Sequence, residues 1–281
     1  MKISVVITTY NGEPYLTEQL ESIRKQTLQP DEVLIFDDCS NNKTVSLIEN
    51  FISTYNLDTW KLYINKSNIG WKRNFINGFD KAAGDLIFPC DQDDIWELDK
   101  VESMARIMDE NEKIFLLASN YKPFYQGEKS EQLPKKMIKA MKFDGSVDQY
   151  KINERVLYVP RPGCSFCFKK SLFVKAKKMW FDGYPHDALL WRAALMLDGA
   201  YIYNKSTMNY RRHGSNATNG KQNEKNYKKE ELKYFLKVLK LLEEFSEEPT
   251  SRIMHDNQKI IQGCKQYIML KIKLYDTNNI F

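Results

Sequence analysis

Three carboxylates crowd into the stretch "CDQDDIW", where Asp91, Asp93 and Asp94 fill three of four consecutive positions just after the apolar run "LIFP". Like charges this close repel, so the chain needs a reason to gather them. Acids collect at helix starts, whose positive end they complement. The following "ELDKVESMARIMDEN" has the period of such a helix, with Leu98, Val101, Ala105 and Met108 at helical spacing. The other reason is a cation. Asp91 and Asp93 lie two apart, so an extended backbone would point both side chains the same way. Magnesium and manganese prefer oxygen ligands, keep several waters, and are held by one or two carboxylates together with substrate phosphates.

The elements that must position these acids read as alternating strands and helices. "ISVVIT" is a continuous β-branched run, the pattern of a strand buried on both faces. "EVLIF" is a second buried strand, "WKLYIN", "DLIFP" and "IFLLAS" are further strands, and helical patterns stand between the first four. Such alternation predicts an α/β fold with a mostly parallel central sheet flanked by helices. Right-handed crossovers put all the strand ends on one edge. Thr8, Thr9 and Tyr10 follow the first strand, Asp37 and Asp38 the second, and Asp91 and Asp93 the fourth. Ligands of open α/β sheets bind outside these carboxyl ends, so the three polar clusters should converge on one crevice. Residues 122–160 show no sustained period and read as an irregular, acceptor-side insertion. "GCSFCF" and "AYIY" resume as strands, with the helix "HDALLWRAALML" between them. From about residue 222 two helices follow, and Leu232, Phe235, Leu239 and Leu242 form a stripe with many lysines beside it. That stripe suits packing on the preceding domain; contact with an anionic membrane face is the sharper alternative. His255, inside the second of these helices, reads as a surface residue.

Bulk properties narrow the function classes. At 281 residues the chain can bury a full core. A net charge of +5 suits an anionic small molecule or membrane surface and, with no binding motif, argues against nucleic acid. "MKISVVITTY" turns polar too early for a secretory signal, and no apolar stretch approaches the ~20 residues that cross a bilayer, so a cytoplasmic location is expected. The five cysteines are scattered, and "CSFC" lacks the second pair that a zinc site wants, which leaves two small buried thiols. The first strand-to-helix turn, "TTYNGEP", has one glycine, no G-x-G-x-x-G and no P-loop. A phosphate-bearing ligand therefore needs another counter-charge, and a cation held by Asp91 and Asp93 supplies it.

"ISVVITTYNG", "FDDCS", "NIGWKRN", "DQDDIW", "HDALLW" and "YRRHGSN" occur in the order found in family 2 glycosyltransferases, which the chain resembles over residues 1–220. The combination of "DQDDIW" with "YRRHGSN" is similar to the bacterial rhamnosyltransferase-like branch. The resemblance implies a GT-A fold and a metal-dependent, inverting transfer of a sugar, rhamnose being one candidate. The donor would be a dTDP- or UDP-sugar, and the acceptor a hydroxyl of a glycan or lipid-linked saccharide in cell-surface polysaccharide synthesis. It implies a nucleotide-sugar half over residues 1–120 and an acceptor half over 121–220; residues 221–281 read, from their own pattern, as a helical extension, with peripheral contact on the inner membrane face as the alternative to packing on the domain.

Position by position, Thr8, Tyr10 and Asp38 match residues that hold base and ribose, and Arg73 one near the base. Asp93 matches the direct ligand of the Mn or Mg ion, with Asp91 nearer the ribose or a metal-bound water. Asp187 matches the catalytic base. His213 matches a histidine that approaches the metal or diphosphate, and Arg211 or Arg212 adds charge near the diphosphate, the alternative for either being a surface arginine. Many relatives carry Glu-Asp where this chain has His186–Asp187, which leaves the role of His186 open. Two other readings compete. A sugar-phosphate nucleotidyltransferase should show a glycine-rich loop with Arg and Lys after the first strand, which is missing; a non-catalytic nucleotide-sugar-binding relative should have lost Asp93 or Asp187, and both are present.

Overall fold

β1 (Ile3–Thr9) is buried along its whole length. Val5 and Ile7 enter one core and Val6 the other, and a strand covered on both faces has no reason to alternate polar with apolar residues. The computed structural model describes residues 1–127, 132–214, 225–247 and 255–276. In its first half α1 (Leu16–Arg24), β2 (Glu32–Asp37), α2 (Thr44–Thr54), β3 (Trp60–Ile64), α3 (Trp71–Lys81) and β4 (Leu86–Cys90) alternate as the periodicity predicts. β1 pairs in parallel with β2 and β4, and β2 with β3.

The second half is mixed. It comprises β5 (Ile95–Trp96), α4 (Lys100–Glu110), β6 (Leu116–Tyr125), α5 (Lys135–Lys139), β7 (Val147–Gln149), β8 (Phe166–Lys169), α6 (Lys170–Ala176), α7 (His186–Met196) and β9 (Ala200–Arg212). The sheet runs β3-β2-β1-β4-β8-β6-β9-β5, with β7 also on β9. β8 is antiparallel to β4 and β6, whereas β9 is parallel to β6 and antiparallel to β5 and β7. The fold class is as expected, a central α/β sheet flanked by helices, but only its first half is wholly parallel. Residues 122–160 are also more regular than their sequence implies, since β6 extends to Tyr125 and β7 pairs with β9. β7 is a three-residue, largely exposed strand, too short and too wet to show a period.

Helices α8 (Lys225–Glu247) and α9 (His255–Asp276) pack on each other, and α8 also packs on α7. Leu239 and Leu242 of the expected stripe are fully buried in the core shared with α7, while Leu232 is partly buried against it. Phe235 stays half-exposed. The boundary expected at 220, the end of "YRRHGSN" and the side chain of His255 lie outside the described residues.

Close packing of α3 on the sheet depends on Gly78. A Cβ there would meet Val6 Cγ1 at 2.4 Å and the Phe36 ring at 3.2 Å. Gly78→Ala is thus expected to destabilise the fold by about 1–3 kcal/mol through overpacking, despite alanine's better helix propensity. Urea unfolding checks this, and a stabilised variant would show that α3 can lift off the sheet without cost.

Candidate active site

The parallel register sets the site. Thr9 stands level with Asp37 on β2, and its hydroxyl donates to Asp37 Oδ2 at 2.8 Å. Ile7 stands level with Cys90 on β4, so Asp91 leaves the sheet beside Thr8. At these ends opens a cleft of about 620 Å³, and Thr8, Tyr10, Asp38, Asp91, Asp93, Asp187 and His213 all line it. Residues from four strand ends and the start of α7 thus meet although they span most of the chain.

Two residues expected here do not line the cleft. Arg73 ion-pairs with Asp182 at 3.2 Å and stacks over Trp180. Arg211 is buried between the rings of Tyr15 and Phe124. Its Nε donates to the Asp93 carbonyl at 2.6 Å, and its terminal nitrogens reach Gln126 and Glu18. The guanidinium braces the acidic turn from behind, because an arginine taken out of water must spend its donors on nearby acceptors.

Asp38 faces the cleft with both oxygens engaged. Oδ1 accepts from Asn65 Nδ2 and the Ile69 N–H, and Oδ2 from the Gly70 N–H, at 2.8–2.9 Å. The carboxylate therefore shapes the 65–70 loop that forms one wall. Gln92, the neutral member of "DQDD", joins the first and fourth strand ends: Tyr10 N–H donates to its Oε1 at 2.8 Å and its Nε2 donates to the Tyr10 carbonyl. A Cβ on Gly12 would strike Gln92 Oε1 at 2.4 Å, which accounts for the glycine in "YNG".

The acids sit on a charged, poorly hydrated floor. Burial, and next the charge of Asp93, push the Asp91 carboxyl up to about 7. Asp94 is fully buried; its Oδ1 accepts the Arg211 N–H at 3.0 Å and its Oδ2 has no partner among the described residues. Burial followed by Asp93 raises its carboxyl well above the usual range. Behind them lies Lys100, also fully buried, with Nζ donating to the Cys164 carbonyl at 2.6 Å and resting 4.1 Å over the Trp96 ring. The helical period of "ELDKVESMARIMDEN" does not single out Lys100, and only its burial beside the acids reveals its role in balancing them. Asp93 Oδ2 lies 2.8 Å from His213 Nε2, a pairing across 120 residues of sequence. All five cysteines are free, and Cys164 Sγ lies within 4.8 Å of carboxylate oxygens of Asp91 and Asp94.

Asp187 begins α7, where its Oδ1 accepts the Ala188 N–H at 2.7 Å and the helix end favours a carboxylate. Gly163 presses against this corner: a Cβ there would lie 2.5 Å from His186 Nε2 and 3.0 Å from Asp187 Cβ. His186 is buried, stacks on Phe75 with centroids 3.9 Å apart, and neither ring nitrogen has a partner among the described residues. Burial lowers its pKa to about 4. The unfolded imidazole binds a proton more readily, so the stability this site contributes is full above pH 6.5 and is lost as pH falls toward 4. The loss is on the order of 3 kcal/mol across that window. Asp91 works in the opposite sense over the same range, so the test compares variant with parent. His186→Leu is expected to flatten the acid limb of the urea midpoint between pH 4.5 and 7, and an unchanged limb would show that His186 is hydrated.

The donor set fits a divalent cation. Four aspartates line the cleft, and among the described lining residues there is no lysine or arginine. Carboxylate oxygens with an imidazole suit Mn or Mg, and the raised carboxyl of Asp91 and the orphan Oδ2 of Asp94 mark a floor whose acids Lys100 does not fully offset.

Comparison with known proteins gives one consistent set. The family described as Glycosyl transferase family 2 matches residues 4–176. The poly(ribitol-phosphate) beta-N-acetylglucosaminyltransferase TarS of Staphylococcus aureus is 29% identical over 164 residues, 58% of this chain and 27% of TarS. This chain therefore spans only about a quarter of that relative's length. The dTDP-rhamnosyl transferase RfbG of Shigella flexneri is 28% identical over 222 residues, 75% of this chain and 72% of RfbG. In structure, S. aureus TarS 1-349 with UDP-GlcNAc superposes with a TM-score of 0.69 at 19% identity, covering 96% of this chain and 73% of the other. The mannosyltransferase PcManGT from Pyrobaculum calidifontis, in complex with GDP-Man and Mn2+, gives 0.58 at 14% identity, covering 98% and 71%.

Proposed function

The chain belongs to glycosyl transferase family 2, and from that premise we propose that it moves a sugar from a nucleotide-diphosphate donor to a hydroxyl of a glycan or lipid-linked saccharide, with inversion. One observation carries the reading most: a cleft at the strand ends with four carboxylates and, among its described lining residues, no lysine or arginine. Such a cleft repels a diphosphate unless a divalent cation is bound. Asp93 and His213 would hold the ion, with Asp91 beside them. When bound, it would neutralise charge on the departing diphosphate. Thr8, Tyr10 and Asp38 hold the nucleotide side, Asp38 chiefly by fixing the 65–70 loop. Asp187 takes the proton from the acceptor hydroxyl as the oxygen attacks the anomeric carbon from the face opposite the diphosphate. A single displacement of this kind inverts the configuration.

In this reading residues 1–120 serve the donor, 121–220 the acceptor, and 221–281 form a helical extension. Rhamnose from a dTDP donor is the preferred sugar, because the relative whose name carries it matches three quarters of this chain. Among the described residues no helix is long and apolar enough to cross a membrane. Peripheral contact with the inner membrane face is part of the proposal, supported by exposed Tyr267, Leu270 and Leu274 on α9.

The test is thermal stabilisation by a panel of nucleotide sugars with and without Mn2+. A ligand that binds only the folded chain stabilises it by mass action, about 2.7 kcal/mol at a hundredfold excess over Kd. A dTDP- or UDP-sugar should stabilise in the presence of metal. Stabilisation by none of them would defeat the reading, and stabilisation by UDP-GlcNAc but not dTDP-rhamnose would defeat the choice of sugar.

A further inference from the structure

β9 ends at Arg212, level with Tyr125 of β6, and His213 is the next residue. Two contacts bear on the direction of its imidazole. At the edge of the ring, Nε2 lies 2.8 Å from Asp93 Oδ2. Against its face lies Tyr15, with ring centroids 4.5 Å apart and the planes tilted by 33°. Tyr15 lines the cleft together with Asp93 and His213. It is also tied to the acidic turn. Tyr15 stands at the cap of α1, where its N–H donates to the Gly12 carbonyl at 3.1 Å. Gly12 is packed too closely on Gln92 to admit a Cβ, and Gln92 belongs to the same "DQDD" turn as Asp93. The Arg211 guanidinium makes a second tie. It lies 4.8 Å from the centroid of the Tyr15 ring, which attracts a cation, and its Nε donates to the Asp93 carbonyl at 2.6 Å. The carboxylate that meets the imidazole edge and the ring that meets its face therefore belong to one braced unit.

We propose that Tyr15 is a positioning residue for the cation: its ring fixes the plane in which His213 presents Nε2 to the ion shared with Asp93. This rests on the metal-dependent glycosyltransferase reading of the cleft, with His213 as a ligand. An imidazole binds a metal through a lone pair that lies in the ring plane, and the χ2 torsion that sets this plane is soft in histidine. A stacked aromatic face narrows that torsion. Neighbouring donors of a six-coordinate ion at about 2.1 Å stand about 3 Å apart, close to the 2.8 Å between Nε2 and Asp93 Oδ2. The two donors are already near each other, so the quantity left to control is the tilt of the ring. Stacking calls for the aromatic face of Tyr15 and not for its hydroxyl. Outer partners of a ligating histidine are typically worth about 10–100-fold in metal affinity.

The probe is Mn2+ itself, titrated into the full chain in excess UDP and followed by loss of the free ion's electron paramagnetic resonance signal. Tyr15→Leu keeps apolar bulk but removes the aromatic face, and should weaken Mn2+ binding about tenfold or more. Tyr15→Phe should bind Mn2+ as the parent does. Melting temperature without metal should stay at the parent value in both. In a His213→Ala background, Tyr15→Leu should cost no further Mn2+ affinity, because a residue that acts through His213 has nothing left to position. Equal Mn2+ affinity in parent and Tyr15→Leu would overturn the proposal. So would equal losses in Tyr15→Leu and Tyr15→Phe, or a loss of undiminished size in the His213→Ala background. Should Tyr15→Leu melt early, Tyr15→Met takes its place in the same cycle; early melting of both would make Tyr15 a brace of the fold and overturn its role at the ion. Undiminished Mn2+ binding by His213→Ala would remove His213, and Tyr15 with it, while leaving the glycosyltransferase reading in place. Failure of the parent to bind Mn2+ with UDP would overturn the metal-dependent reading and this role together.

Discussion

Asp187→Asn is expected to lower sugar transfer by about 10²–10⁴-fold, the usual worth of general-base assistance, with donor and metal affinity nearly unchanged. The geometry makes this a clean substitution. Asp187 Oδ1 accepts the Ala188 N–H at 2.7 Å, and an asparagine in the same rotamer keeps that bond and the shape of the helix start while losing the ability to take a proton. The competing role is that of a helix-terminal acid, stabilised by the dipole by roughly 0.3–1 kcal/mol. That role predicts a slight shift in melting and intact turnover. Transfer rate and donor affinity, measured on one purified variant with the donor found by the panel, separate the two. Near-normal transfer with intact binding would leave the mechanism without its proton acceptor.

Asp93→Ala is expected to remove the metal-dependent part of nucleoside-diphosphate binding altogether. The side chain is 13% exposed, faces the cleft, and meets His213 at 2.8 Å, so its loss takes away one ligand and releases the other. The fold should tolerate the change. Asp93 raises the carboxyls of both Asp91 and Asp94, and removing its charge relieves a repulsion that the metal-free protein otherwise bears. The variant is therefore expected to melt no lower than the parent without metal, and to gain nothing from UDP with Mn2+. Unchanged metal dependence of UDP binding would place the ion elsewhere, the cluster of Asp91, Asp94 and Cys164 being the next candidate.

What the chain alone determined follows from local rules. β1, β2 and β4 are buried on both faces, which writes continuous apolar runs. The helices between them write a 3.6-residue period, and right-handed crossovers then force the polar ends of β1, β2 and β4 onto one edge. Thr8, Tyr10, Asp38, Asp91 and Asp93 could be gathered into one cleft on that logic, and the ordered motifs of a resembled family added Asp187 and His213. The tertiary structure decided everything that depends on long-range pairing. The mixed half of the sheet arises from how β8 and β9 pair with strands far away in sequence, which no local period records. The same holds for side-chain direction. Arg211 turned behind the acidic turn instead of into the cleft, Arg73 found Asp182, and Lys100 was drawn fully inside. A long cationic side chain reaches whichever acceptor the packing brings near, and its sequence neighbours carry no trace of that choice.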